Sequence, residues 1–198
     1  MSCVEMRTPV SVFGSLPSDS PLLVDVPTTL GHPQQRLHVL AAAAAEPMDA
    51  AIRADLGIEA RTASGWRPKR FQTWDEYVAY VTTRYGSLER GRMFLAFESP
   101  HQTGLARDFG CGGLSPTSTT IEAQKKTPLY LWLCDNAWKY GWHPYKVEPW
   151  HWERWVDLPS YLAGKDTHSD DSGPVTTCSN ANDVCIEAPL DEILSPLR

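Results

Sequence analysis

Apolar residues along this chain recur with two periods, and the change between them outlines the elements. "RLHVLAAAAAEPMDAAIRADLG" carries alanines and leucines that favour a helix, broken or kinked at Pro47 and closed by Gly57. "IEARTA" alternates apolar and polar positions and predicts a strand over 58–63. "TWDEYVAYVTTRYG" predicts a helix with Trp74, Tyr77, Val78 and Val81 on its apolar face. Thr73 suits its N-cap, with Glu76 three residues on. "RMFLAF" (92–97) and "GLARDFG" predict short extended segments. "TPLYLWLCDNAWKYG" predicts a helix, apolar at Leu129, Leu131, Trp132 and Leu133 and stopped by Gly141. "YKVEPWHWERWV" alternates aromatic residues in an extended run.

The ends read differently. Residues 1–35 are rich in Pro, Ser and Thr and predict an arm with one short strand at "LLVDV". Residues 159–198 hold "GKDTHSDDSGPVTTCSNAND" and predict a flexible extension. The expectation is therefore one α+β domain over 36–158, a small antiparallel sheet flanked by helices.

Composition narrows the class. Hydrophobic residues make up 42% and charged residues 21%, as in ordinary globular chains. Six of the eight tryptophans fall between Trp132 and Trp155, so that stretch should form the aromatic heart of the fold. The net charge of −6 and the lack of a basic run argue against nucleic acid. No stretch is long and apolar enough for a membrane span, no standard signal peptide is visible at the N-terminus, and a monomer is expected. Of the five cysteines, Cys178 and Cys185 would close a small loop in an oxidising compartment, and the unpaired state is an equal reading. Cys3, Cys111 and Cys134 show no framework spacing, and without a CxxC a cysteine zinc site is not expected.

Two stretches carry chemistry: "ESPHQTGLARDFG" (98–110) and "VEPWHWERW" (147–155). Gly104 permits a turn that can bring His101 and Asp108 to one point. The "E-x-x-H" pattern adds His151 as a third ligand and Glu148 as a neighbouring carboxylate. Two imidazoles and one carboxylate suit one zinc ion with a position left for water. Singly, such residues are more often hydrogen-bonded structural groups; the combination is what points to a metal.

That combination resembles the zinc D-Ala-D-Ala carboxypeptidases and dipeptidases of the VanY and VanX kind, which share the Hedgehog/DD-peptidase fold. The motif "S-x-H-x-x-G-x-A-x-D" stands as Ser99, His101, Gly104, Ala106 and Asp108. "E-P-W-H-W" stands as Glu148 to Trp152. "SGWRPKRFQ" is similar to the family's "SGYRS…Q" stretch, with Arg67 and Gln72 in the matching places. The likeness runs from Leu37 to Trp155. It implies zinc on His101, Asp108 and His151, with Glu148 as general base. Arg67 would polarise the scissile carbonyl or hold a substrate carboxylate, and Ser99 and Gln72 would contact substrate. The implied substrate is a peptidoglycan stem peptide or muropeptide. An endopeptidase cutting within the stem, or a non-catalytic zinc-binding recognition domain, are the alternatives.

Two departures stand out. Arg107 occupies a usually apolar position, and if it points inward its charge would weaken the metal site. The link between "YGW" and "EPWHW" is only "HPYKV", which implies a more open cleft. Of the remaining histidines, His143 is expected at the surface or packed on aromatic residues, and His32, His38 and His168, in or near the arm and tail, are expected to be solvated. Trp150 and Trp152 are expected to pack around His151.

Overall fold

A computed structural model describes residues 4–92, 95–110, 114 and 116–167. Cys3, Cys111, Cys178, Cys185, His168 and the residues beyond lie outside them, as do Met93 and Phe94 of the expected 92–97 strand. The following Leu95–Phe97 is loop.

The N-terminal segment forms a short helix, α1 (Val10–Phe13), and strand β1 (Leu23–Val26), which pairs antiparallel with β2 (Gln35–His38). Helix α2 (Val39–Leu56) follows directly and ends at Gly57. It runs on through Pro47, so the break allowed by the sequence does not occur. Proline there removes one hydrogen bond to the carbonyl of Ala43. Both Pro47 and Ala43 are exposed, so water can satisfy the freed carbonyl. The opposite stripe, Ala41, Ala45, Met48 and Ile52, is buried and holds the helix on the core.

Strand β3 (Thr62–Ser64), helices α3 (Trp74–Tyr85) and α4 (Leu88–Arg92) and strand β4 (Ala106–Phe109) come next. The Thr73 hydroxyl caps α3 by accepting from Glu76 N–H, as expected. Tyr77 and Val81 are buried with Phe71 in a small satellite core, while Trp74 is 45% exposed. Helices α5 (Ile121–Gln124) and α6 (Pro128–Asn136) lead through a 3-10 turn at Ala137–Tyr140 to the hairpin β5 (Trp142–Tyr145) and β6 (Glu148–Arg154). In α6, Leu129, Trp132 and Leu133 face inward, whereas Leu131 points to solvent.

The main sheet has the antiparallel order β3-β4-β6-β5. The architecture is thus mixed helix and small antiparallel sheets, as the α+β reading predicts, with two sheets rather than one. Packing continues past the expected end at residue 158. Helix α7 (Leu158–Ala163) places Tyr161 in the core, where it stacks on His38 and meets Phe13 edge-on. His38 is fully buried rather than solvated.

Register fixes what each face of the sheet presents. Arg107 pairs with Trp152 and Asp108 with His151. Cross-strand partners share a face and successive residues alternate. One face therefore carries Arg107, Phe109 and Trp152 into the core, and the other carries Asp108, His151 and Glu153.

Candidate metal centre

His101 sits in a 3-10 turn, Pro100–Thr103, whose four residues are all buried. The Thr103 hydroxyl donates to Pro100 O and accepts from Leu105 N–H, and Tyr161 Oη–H donates to Thr103 O. Gly104 closes the turn at φ 73°, and a Cβ there would meet His38 N at 2.8 Å. Only glycine meets both demands, the left-handed backbone and the close approach. The turn then feeds β4, which places Asp108 beside His151 of β6.

Three atoms converge. His101 Nε2 lies 3.1 Å from His151 Nδ1 and 3.2 Å from Asp108 Oδ1, and His151 Nδ1 lies 2.9 Å from the same oxygen. A tetrahedral zinc site with bonds near 2.0–2.1 Å has ligand-to-ligand edges of about 3.3–3.4 Å, so the triangle is nearly the size zinc requires. The far side of each ring fixes its proton. His101 Nδ1 is 2.6 Å from Gly65 O, which can only accept, so Nδ1 carries the hydrogen and Nε2 presents a lone pair. His151 Nε2 is 3.2 Å from the Glu153 carboxylate, so its Nδ1 faces the centre in the same way.

Without a cation, two lone pairs and an anionic oxygen would face one another. The titration of the group reflects that need. Burial disfavours the charged His151, but its hydrogen bonds to Asp108 and Glu153 prevail and push it up to about 9. Burial would raise Asp108, yet His101 and His151 hold it far below the usual carboxylate range. Burial lowers His101 more than Asp108 raises it, which favours its neutral form, the form a metal needs. The donor set fits zinc.

Glu148 opens β6 three residues before His151, where strict alternation would turn it to the other face. A bulge intervenes: Pro144 pairs with Trp152, but Tyr145 pairs with Glu148, leaving Pro149–His151 without partners on β5. Pro149 has no N–H to lose there. Glu148 is half-buried, and the charges of His151, Asp108, Arg67 and Arg7 all act on it. Burial raises its carboxyl above the usual value, Asp108 adds to this, and the three cationic groups oppose it.

Arg67 is exposed, and its backbone N–H donates to His101 O, which holds it beside the ligand turn. Ser99 precedes that turn, half-buried, but its hydroxyl does not cap it. Gln72 is exposed at the start of α3, its backbone N–H bound to Glu76 Oε2, and no contact joins it to the three ligands among the described residues.

Arg107 points away from the centre, into the core. Its guanidinium makes two bonds to Asp49 of α2, at 2.8 and 3.0 Å, and lies over the Phe109 ring. Its charge is paired there rather than set against the ligands. Trp152 shares that face, its ring meeting Tyr130, so the ring of His151 is oriented by Glu153 and by the edge of Tyr145 instead. His143 is half-buried on β5, opposite Glu153.

Sequence reasoning passed over Gly65, whose carbonyl orients His101, and Glu153, which orients His151. The signal for Glu153 was present: two residues beyond His151 on a strand lies the same face.

No curated protein matches the chain significantly. Two similar solved structures are of VanY enzymes. One is a point variant of the vancomycin-resistance D,D-pentapeptidase VanY from a VanB-type cassette, in complex with zinc. It is 21% identical, with a TM-score of 0.44, over 75% of this chain and 86% of that one. The other is VanYB in complex with D-alanine-D-alanine, 22% identical with a TM-score of 0.45, over 76% and 88%. The family model for VanY, D-alanyl-D-alanine carboxypeptidase, matches residues 34–157, a span that holds the three converging side chains and Glu148. That match covers more than half of the sequence, and the chain belongs to the VanY D-alanyl-D-alanine carboxypeptidase family.

Proposed function

We propose that this protein is a zinc-dependent carboxypeptidase that removes the terminal D-alanine from peptidoglycan stem peptides. The observation that carries the reading is the triangle of His101, Asp108 and His151 with a half-buried carboxylate, Glu148, in its field. Zinc held there would activate water as a nucleophile at neutral pH and polarise the scissile carbonyl.

The chain's own residues do the rest. A Glu148 carboxylate oxygen takes a proton from the attacking water as its oxygen bonds to the carbonyl carbon. It then returns that proton to the leaving amine nitrogen as the C–N bond breaks. A raised carboxyl suits both halves of this task, since it accepts and releases the proton with little bias. Arg67 supplies a permanent positive charge beside the ligand turn, for the carbonyl oxygen as it becomes negative or for the substrate carboxylate. Ser99, directly before the turn that carries His101, and Gln72, two residues before α3, are the remaining candidates for substrate contact.

The test is mass spectrometry of defined pentapeptide and tetrapeptide muropeptides incubated with the zinc-loaded protein and with Glu148→Gln. Wild type should release one terminal alanine from the pentapeptide. The variant should retain zinc and lose about 10²–10⁴-fold in rate. Intact muropeptides with zinc bound stoichiometrically would refute the proposal. Release of two peptide fragments would favour endopeptidase cleavage within the stem. The two-residue turn between β5 and β6, at Lys146 and the exposed Val147, keeps that alternative open, because it raises no wall there.

A further inference from the structure

The Glu153 carboxylate neither faces the three converging atoms nor carries a step of the chemistry proposed above, yet among the described residues it is one of the best-buried charges, 2% exposed. Three donors meet it: His151 Nε2–H at 3.2 Å, Arg7 Nε–H at 3.0 Å, and the backbone N–H of Thr8. Two of the three come from the N-terminal arm, some 145 positions away in the chain. The Arg7 guanidinium also lies over the Tyr145 ring, 3.7 Å from its centroid, and Tyr145 meets the His151 ring edge-on at 6.0 Å. The arm thus reaches this ligand twice, through a carboxylate and through an aromatic ring.

We propose that Glu153 is a positioning residue for His151, and that Arg7 and Thr8 hold it in place, so that the N-terminal arm completes the metal centre. The inference rests on the zinc-peptidase reading above. A carboxylate on the outer nitrogen of a ligating imidazole fixes the ring and strengthens the inner nitrogen as a donor, and losing such a partner typically costs 10–100-fold in metal affinity. A carboxylate this buried needs its own donors, because an unpaired buried charge is heavily penalised. Without Arg7 and Thr8, Glu153 would keep only His151 and would be drawn towards water. The arm therefore acts on the metal site although it offers no ligand.

The experiment is a zinc titration of the metal-free full-length protein in competition with a chromophoric chelator. The variants are Glu153→Ala, Glu153→Gln, Arg7→Met and the double variant Arg7→Met/Glu153→Ala. Each is also loaded with cobalt, and its visible absorption recorded as a report on ligand geometry. Glu153→Ala should weaken zinc by about 10–100-fold and alter the cobalt spectrum. Glu153→Gln keeps an acceptor for His151 but no charge, and should lose less. Arg7→Met should lose less again. The double variant should lose clearly less than the sum of the two single losses, because Arg7 acts chiefly through Glu153 and only secondarily through the Tyr145 ring.

Wild-type affinity and spectrum in Glu153→Ala and Arg7→Met would overturn the inference while leaving the zinc reading intact. Additive losses in the double variant would remove Arg7 from the route. Absence of zinc binding by wild type would sink the zinc reading and the inference together. Should Glu153→Ala fail to fold by near-ultraviolet circular dichroism, the isosteric Glu153→Gln and the half-exposed Arg7→Met decide the question.

Discussion

His38 should make this protein sensitive to acid, by an amount the structure allows one to work out. Its ring is fully buried against Tyr161. Its Nδ1 accepts from Leu40 N–H at the start of α2, and its Nε2 donates to Tyr161 O at 3.0 Å. A proton on Nδ1 would forfeit the helix cap and set a positive charge at the positive end of the helix dipole. Burial accordingly lowers His38 from 6.5 to about 4, against a smaller opposing effect of the Tyr161 carbonyl. The unfolded chain takes up this proton as pH falls through about 6.5, and the folded protein only near 4, so stability is lost between those values. From pH 7 to pH 5 the loss is about 2 kcal/mol, and it levels off at about 3 kcal/mol below pH 4. Asparagine at position 38 can still cap α2 but cannot ionise. His38→Asn should start less stable than wild type at pH 7, having lost the bond to Tyr161. The gap should then narrow by about 2 kcal/mol at pH 5. Urea denaturation of both proteins in the presence of chelator, followed by tryptophan fluorescence at pH 7, 6 and 5, measures it. A gap that stays constant would refute the assignment of His38 as a neutral cap.

Two further predictions concern the scaffold. Breaking the buried pair with Arg107→Met should cost about 3–5 kcal/mol in urea denaturation, because Asp49 is left charged and unpaired. Adding Asp49→Leu should recover most of that loss. Gly104→Ala should cost about 2 kcal/mol or more, from the left-handed backbone and the close approach to His38 N. Zinc titration should show it weakened as a metal binder too, since the same turn aims His101.

The candidate site, three possible ligands with Glu148 beside them, could be proposed from sequence because metal chemistry restricts residue type and because each of its two stretches is local. His101 and Asp108 lie within eight residues, and Glu148 and His151 within four. The main helices were legible for a similar reason: the Thr73 cap and the apolar stripes of α3 and α6 are short-range signals. What escaped depends on contacts between distant segments. Pairing of Arg7 and Thr8 with Glu153 spans most of the chain, and composition alone made that segment look like a loose arm. His38 looked solvated because its burial is supplied by Tyr161, 123 residues later, in a stretch that read as a flexible tail. Arg107 could not be assigned a face until Asp49 was known to wait behind the sheet.

The Arg107–Asp49 pair has one more consequence, in the specification of strand alignment. Side chains along β4 alternate, so a slip of one residue would exchange its faces. Ala106, Arg107 and Asp108 differ greatly in what each face would then receive. A slipped strand would turn the guanidinium towards two histidines and bury the Asp108 carboxylate opposite Asp49, like charge against like. A buried ion pair adds little net stability over apolar residues of similar size, but it penalises the wrong alignment far more than a leucine would. Asp49 thus acts as a key for the strand: it accepts the one register in which Asp108 arrives beside His151 and refuses its nearest competitor.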